Sequence, residues 1–134
     1  MKIKILLLLA LSGLCLSVSA QNVGDSRELK KNRTTKEWKL KAGSKTPMLN
    51  NVTVYDNQGR KKEETEYASY GVKARIVYEY GADGLCSREI FYNDKGKVSK
   101  IRKYEYNSDG TKHKQYTYSP KGNLETTKTY EYSY

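Results

Sequence analysis

From Tyr55 onward the chain repeats one short pattern, a tyrosine followed four residues later by a glycine. The units are Tyr55 to Gly59, Tyr67 to Gly71, Tyr80 to Gly84, Tyr92 to Gly96, Tyr106 to Gly110 and Tyr118 to Gly122, and the chain ends near Tyr132. Successive leading tyrosines lie 12, 13, 12, 14, 12 and 14 residues apart. A period that short holds one strand and one turn, so the repeat restricts the chain to a β architecture built from neighbouring units.

The chemistry of each unit supports this. Asn93-Asp94-Lys95-Gly96, Asn107-Ser108-Asp109-Gly110 and Ser119-Pro120-Lys121-Gly122 read as type I turns closed by a left-handed glycine. Asn or Ser opens the turn by bonding its own backbone, Pro120 presets φ, and glycine takes φ > 0 without a steric penalty. Such turns, with a bulge at the glycine, join adjacent antiparallel strands. The intervening runs are rich in Tyr, Thr, Val and Ile, which favour strands over helix.

Strict alternation then assigns faces. It places Tyr116 with Tyr118, and Leu124 with Tyr130 and Tyr132, while Glu125, Thr127, Thr129 and Glu131 point the other way. It aligns Ile76, Tyr78 and Tyr80, then Cys86, Ile90 and Tyr92, and leaves Val77, Leu85, Phe91 and Ile101 as a second apolar patch. Trp38 and Leu40 are candidates to cover that patch.

The expected fold is all-β: an antiparallel meander of seven or eight strands in one twisted, curved sheet, open or curling towards a barrel. Because antiparallel strands alternate in direction, Tyr55, Tyr80, Tyr106 and Tyr132 should line one end and Tyr67, Tyr92 and Tyr118 the other. Members of a row are two strands apart, roughly 9–10 Å. The structural period is a hairpin of about 26 residues. The first expectation for the rings is a core on the concave face, with hydroxyls reaching its rim.

The units resemble the YD repeats of Rhs and wall-associated proteins, which also read tyrosine, polar turn, glycine. Only Tyr55 is followed by Asp here; the other turns open with Ala, Gly, Asn or Ser. The chain is also similar to a family of small secreted Bacteroidales proteins of unknown function. The resemblance spans roughly 49–134 and implies a β-rich exported protein with no catalytic residues to carry over. It also implies an association with carbohydrate binding.

Outside the repeat, Lys2 and Lys4 precede an apolar run from Ile5 to Leu16, and Val18-Ser19-Ala20 offers a signal-peptidase site before Gln21. That run is shorter than the ~20 residues of a spanning helix, so a leader over 1–20 is expected rather than an anchor, leaving no transmembrane segment after cleavage. Leu14 before Cys15 is too large for a lipobox. Residues 21–48 form a basic polar arm with eight basic and three acidic residues, and Arg33 to Lys41 is a candidate edge strand. The repeat domain, 49–134, carries 15 basic and 12 acidic residues, so the net charge of +10 is concentrated before it and a nucleic-acid partner is not expected.

The exported chain is expected to be secreted or periplasmic and to keep one cysteine, Cys86, and one histidine, His113. That count excludes an intramolecular disulfide, a His/Cys zinc site and a triad with a neighbouring histidine, and no cofactor motif is present. Glu63, Glu64 and Glu66 are expected to form cross-strand ion pairs with nearby lysines. The remaining candidate for function is a tyrosine surface: Tyr104, Tyr106, Tyr116, Tyr118, Tyr130, Tyr132 and Tyr134, flanked by Lys112 and Lys114. Exposed aromatics of this kind stack on sugar rings or other apolar faces. The expected role is therefore a non-enzymatic binding module for a glycan or envelope protein. The alternative is a structural repeat that self-associates through its sheet edges.

Overall fold

Five hairpin turns are built alike and set the architecture. A computed structural model describes residues 26–134; the predicted leader, its cleavage before Gln21 and Cys15 lie outside the described residues. In the turns 56–60, 81–85, 93–97, 107–111 and 119–123 the first amide donates to the fifth carbonyl at 2.8–2.9 Å. The glycine amide donates back to the first carbonyl at 3.0–3.1 Å. All five glycines sit at φ between +71° and +88°, the left-handed region the turn requires. Asp56 and Asn93 also accept, through Oδ1, from the amides two and four residues on, which closes the turn before the strands pair. The unit at Gly71 differs: Ala68 pairs directly with Gly71, leaving the two-residue loop Ser69-Tyr70.

The eight strands are β1 (Thr34–Lys39), β2 (Met48–Tyr55), β3 (Lys61–Ala68), β4 (Gly71–Tyr80), β5 (Cys86–Tyr92), β6 (Val98–Tyr106), β7 (Lys112–Tyr118) and β8 (Leu124–Thr129). They form one antiparallel sheet in sequence order, an all-β meander that stays open, with β1 and β8 as its edges and no pairing between them. Before it, α1 (Arg27–Lys30) is a single turn capped by Ser26, whose Oγ accepts from the Leu29 amide at 3.4 Å. The segment is tied to the first turn: the Asn32 amide donates to the Asp56 carbonyl and the Tyr55 amide to the Arg33 carbonyl, both at 2.9 Å.

Every hairpin from β2–β3 to β7–β8 carries a register shift close to its turn, two pairs beyond it in β3–β4 and one pair beyond it in the others, always with the extra residue on the second strand. The extra residues are Lys62, Lys73, Ser87, Ser99, His113 and Glu125. Two of them secure the bulge themselves: the Ser87 and Ser99 hydroxyls donate to the carbonyls of Glu79 and Phe91 at 3.2 Å. A bulge turns the side chains beyond it to the other face and increases local twist.

This overturns part of the face assignment read by alternation. Cys86 pairs with Tyr80, whereas Ile90 and Tyr92 lie on the opposite face beside Val77 and Arg75. Leu124 pairs with Tyr118 and is separated from Tyr130 and Tyr132. Lys112 pairs with Tyr106 and Lys114 with Glu105, so the two lysines point to opposite faces. Phe91, paired with Ile76 and Lys100, leaves the patch formed by Val77 and Ile101. The Tyr104 face thus carries Tyr55, Ile76, Tyr78, Tyr80, Phe91, Tyr104, Tyr106, Tyr130 and Tyr132. The Ile101 face carries Val54, Val77, Ile90, Tyr92, Ile101, Tyr116, Tyr118 and Leu124.

A core was expected, and among the described residues no hydrophobic side chain is buried. The physical reason is the single layer: each face meets water, and side chains are shielded only by their cross-strand neighbours. The two most buried side chains are polar, Thr65 at 8% and Gln115 at 7% exposure, each roofed by longer neighbours. Trp38 and Leu40 do not cover the apolar patch. β1 lies beside β2 rather than over the sheet, and these side chains are 57% and 60% exposed. Stability must then come from the ladder and from cross-strand pairs. Two glutamates of β3 make such pairs with β4, Lys73–Glu66 at 2.7 Å and Arg75–Glu63 at 3.8 Å, whereas Glu64, also expected to pair across strands, bonds Lys61 of its own strand at 2.9 Å.

Candidate functional site

A Tyr-Glu-Tyr triplet ends β4 and β6 and follows β8, at 78–80, 104–106 and 130–132. Its recurrence every 26 residues is a sharper signal than the tyrosine–glycine spacing, and sequence reasoning overlooked it. The two tyrosines of each triplet lie on the Tyr104 face, and each pair leans over the strand before it. The first hydroxyl donates to a side chain: Tyr78 to Glu64 Oε2 at 3.0 Å, Tyr104 to Glu89 Oε2 at 2.8 Å, Tyr130 to Gln115 Oε1 at 3.3 Å. The second donates to the carbonyl that opens the preceding strand: Tyr80 to Lys61 at 2.6 Å, Tyr106 to Cys86 at 2.6 Å, Tyr132 to Lys112 at 2.8 Å. A ring fixed at its hydroxyl in this way is held across the neighbouring strand.

The environment keeps the phenols of the triplets 78–80 and 104–106 neutral. Burial first, then Cys86, pushes Tyr80 and Tyr106 up to about 12. Tyr78 and Tyr104 are raised well above the ordinary phenol value, first by burial and next by Glu64 and Glu89 respectively. Desolvation pushes the Glu64 carboxyl up, but the bonds from Lys61, Asn51 and Tyr78 outweigh it and leave the carboxyl below its ordinary value. The Cys86 thiol, raised to about 11 mainly by burial, is not the activated thiolate that nucleophilic chemistry needs.

The rings differ in what lies over them. Lys30 and Arg33 approach Tyr55 at 5.7 and 5.4 Å, and Arg60 lies 4.2 Å above Tyr80. Lys112 caps Tyr104 at 4.5 Å, and Lys100 and Arg102 both lie over Phe91. Among the described residues no cation lies over Tyr106 or Tyr132, and Tyr132 is 47% exposed. The turn position that supplies Arg60 in the first hairpin is Leu85 in the second and Thr111 in the third.

Tyr106 opens onto a cleft of about 610 Å³ between the turns 81–85 and 107–111. Asp83, Leu85 and Ser87 line one wall, Asn107, Ser108 and Asp109 the other, and Tyr104 and Tyr106 form the floor. The carboxylates are set by their own turns: Asp83 Oδ1 accepts from the Leu85 amide, and Asp109 Oδ1 from the Thr111 amide and hydroxyl. Aromatic rings framed by Asp, Asn and Ser can stack on an apolar face while bonding hydroxyls around it.

Of the surface anticipated from sequence, Tyr104, Tyr106, Tyr130, Tyr132 and Lys112 are brought together on one face. Tyr116, Tyr118 and Lys114 lie on the other, where the Tyr116 hydroxyl donates to Glu105 at 3.0 Å and Lys103 lies over Tyr118. Tyr134 lies past β8, fully exposed. The face also contains Tyr78 and Tyr80, which alternation aligned with Ile76, and Glu64 and Glu89, which it did not single out. Among the described residues no cluster of three His, Cys, Asp or Glu could hold a metal ion, and no helix is long and apolar enough to cross a membrane.

No protein-family model matches the chain, and no curated protein matches it. Among solved structures, a chain of the GtfA/B complex bound to UDP and GlcNAc aligns with a TM-score of 0.31 and 18% identity. The alignment covers 70% of this chain and 19% of that one, so this chain spans about a fifth of its neighbour's length. A likeness at that level says nothing about activity.

Proposed function

We propose that the protein is a non-enzymatic exported binding module whose Tyr104 face holds a single extended glycan chain. The observation that carries this reading is the row Tyr80, Tyr106, Tyr132, with each hydroxyl tied to a backbone carbonyl and one ring on every second strand. That pitch is roughly 9–10 Å. An extended β-1,4-linked polysaccharide turns the same ring face outward at every second sugar, a repeat of similar length. Tyr80 is already roofed by Arg60, so the chain would stack on Tyr106 and Tyr132, with Asp83 and Asn107 bonding its hydroxyls.

Sheet twist sharpens the substrate class. Successive strands rotate by roughly 20–25°, and bulges add to it, so the rings are not coplanar. A twisted row suits one free chain, whereas a flat crystalline surface would meet only one ring at a time. A glycan array followed by titration tests this. The expected result is binding to one or more β-1,4-linked chains, weakened about tenfold or more by Tyr106→Ala, since a fully engaged aromatic anchor is worth that much. Tyr67→Ala, on the other face, should leave affinity unchanged. An array with no bound glycan, beside an envelope protein captured through Tyr106, would move the same surface to a protein partner.

A further inference from the structure

The Ile101 face carries an unbroken row of cross-strand partners that the binding site does not use. Register aligns Val54, Glu63, Val77, Ile90, Ile101, Tyr118 and Leu124 across seven strands. All but Glu63 are apolar or aromatic, and none is buried. We infer that this face is covered by the same face of a second copy of the chain, giving a two-layer sandwich with the tyrosine rows outward.

The charges on the face are arranged for a two-fold axis running along the strands between β4 and β5. Rotation about that line stacks each residue of β4 on its β5 partner in the other copy. Val77 then meets Ile90. Glu79 meets Arg88, its Cα partner within the chain, and Arg75 meets Tyr92. The same rotation lays β3 over β6 and sets Glu63 on Ile101, next to Lys103. Within one chain Arg88 Nε already bonds Glu79 Oε2 at 2.6 Å, and Arg75 lies 4.6 Å from the Tyr92 ring. Both pairs remain about 40% exposed on the charged side chains, so each can face its counterpart across the axis.

Size and geometry also fit. Eight strands of six to ten residues present a face of roughly 900–1,000 Å². Two such faces bury a total near the ~1,200–2,000 Å² of stable interfaces. Aligned sheets keep their strand directions within about 30° of each other and interdigitate side chains, which the Val, Ile and Tyr of this row provide.

Sedimentation equilibrium of the purified protein, with charge reversal on the face, tests the inference. Wild type should be a dimer at micromolar concentration. Glu79→Arg or Arg88→Glu sets like charges against each other twice per dimer and should raise the dissociation constant by about tenfold or more. The double variant Glu79→Arg/Arg88→Glu should return it to the wild-type value. The circular dichroism spectrum should stay unchanged in all three, because an exposed ion pair contributes little to folding. A monomer at every concentration would overturn the inference. So would a dimer indifferent to both reversals, or one abolished instead by Thr127→Pro in β8, which would place the contact at the sheet edge.

Discussion

Tyr104 and Tyr106 sit two residues apart with ring centroids 6.3 Å from each other, yet their hydroxyls have unlike partners, a carboxylate and a main-chain carbonyl. The carboxylate bond is the stronger because its acceptor is charged, and Glu89 is mostly shielded, at 18% exposure. Tyr104→Phe keeps the ring and removes only that bond. It should cost about 1.5 kcal/mol of unfolding free energy in a urea titration. A change near zero would mean that water replaces the hydroxyl. The second tyrosines impose a pH dependence. Tyr80 and Tyr106 rise from 10.0 to about 12, so the fold favours the neutral phenol. Their contribution is complete below the unfolded value near 10 and is lost as pH rises through the folded value near 12. The melting temperature should therefore hold up to about pH 10 and fall over the next two units. A midpoint of tyrosinate absorbance in the folded protein near 10 for all thirteen tyrosines would contradict this.

At the scale of the element, the five like turns differ in what surrounds their glycines, and one substitution separates them. A Cβ on Gly110 would meet open space, so Gly110→Ala should cost only the left-handed strain, about 1–2 kcal/mol. A Cβ on Gly59 would collide with the Arg27 backbone, so Gly59→Ala should also release the segment before β1. Limited proteolysis should then cut around 27–33 in that variant and not in Gly110→Ala. The turns were legible in the sequence because Asn93, Asn107 and Pro120 dictate local geometry. The faces were not. Each strand was read from its turn by strict alternation, and the extra residue at Ser87, His113 or Glu125 reverses parity partway along. Lys112 and Lys114 show the consequence: identical residues at an alternating spacing, sent to opposite faces by one bulge. No residue type marks all six bulges, and only the hydroxyls of Ser87 and Ser99 hint at them.

For the whole molecule, the decisive fact is that eight strands lie in one layer with no hydrophobic side chain buried among the described residues. Composition suggested that 13 tyrosines must be buried somewhere, and the sequence could not show that those of the Tyr-Glu-Tyr triplets stay only partly buried, tied down by their hydroxyls. The tyrosine rows do lie at opposite ends, and the structure adds that they lie on opposite faces. The proposed glycan site uses one face and the inferred second sheet the other. The central claim is that the anchored row on the Tyr104 face reads a glycan at a pitch of two strands. The most direct test is calorimetric titration with a length series of β-1,4-linked oligosaccharides of glucose and of N-acetylglucosamine. Affinity should rise in steps of two sugars, with a gain of roughly tenfold or more when the chain first spans Tyr106 and Tyr132, and that step should vanish in Tyr132→Ala. A smooth rise with length, or a step that survives Tyr132→Ala, would contradict it.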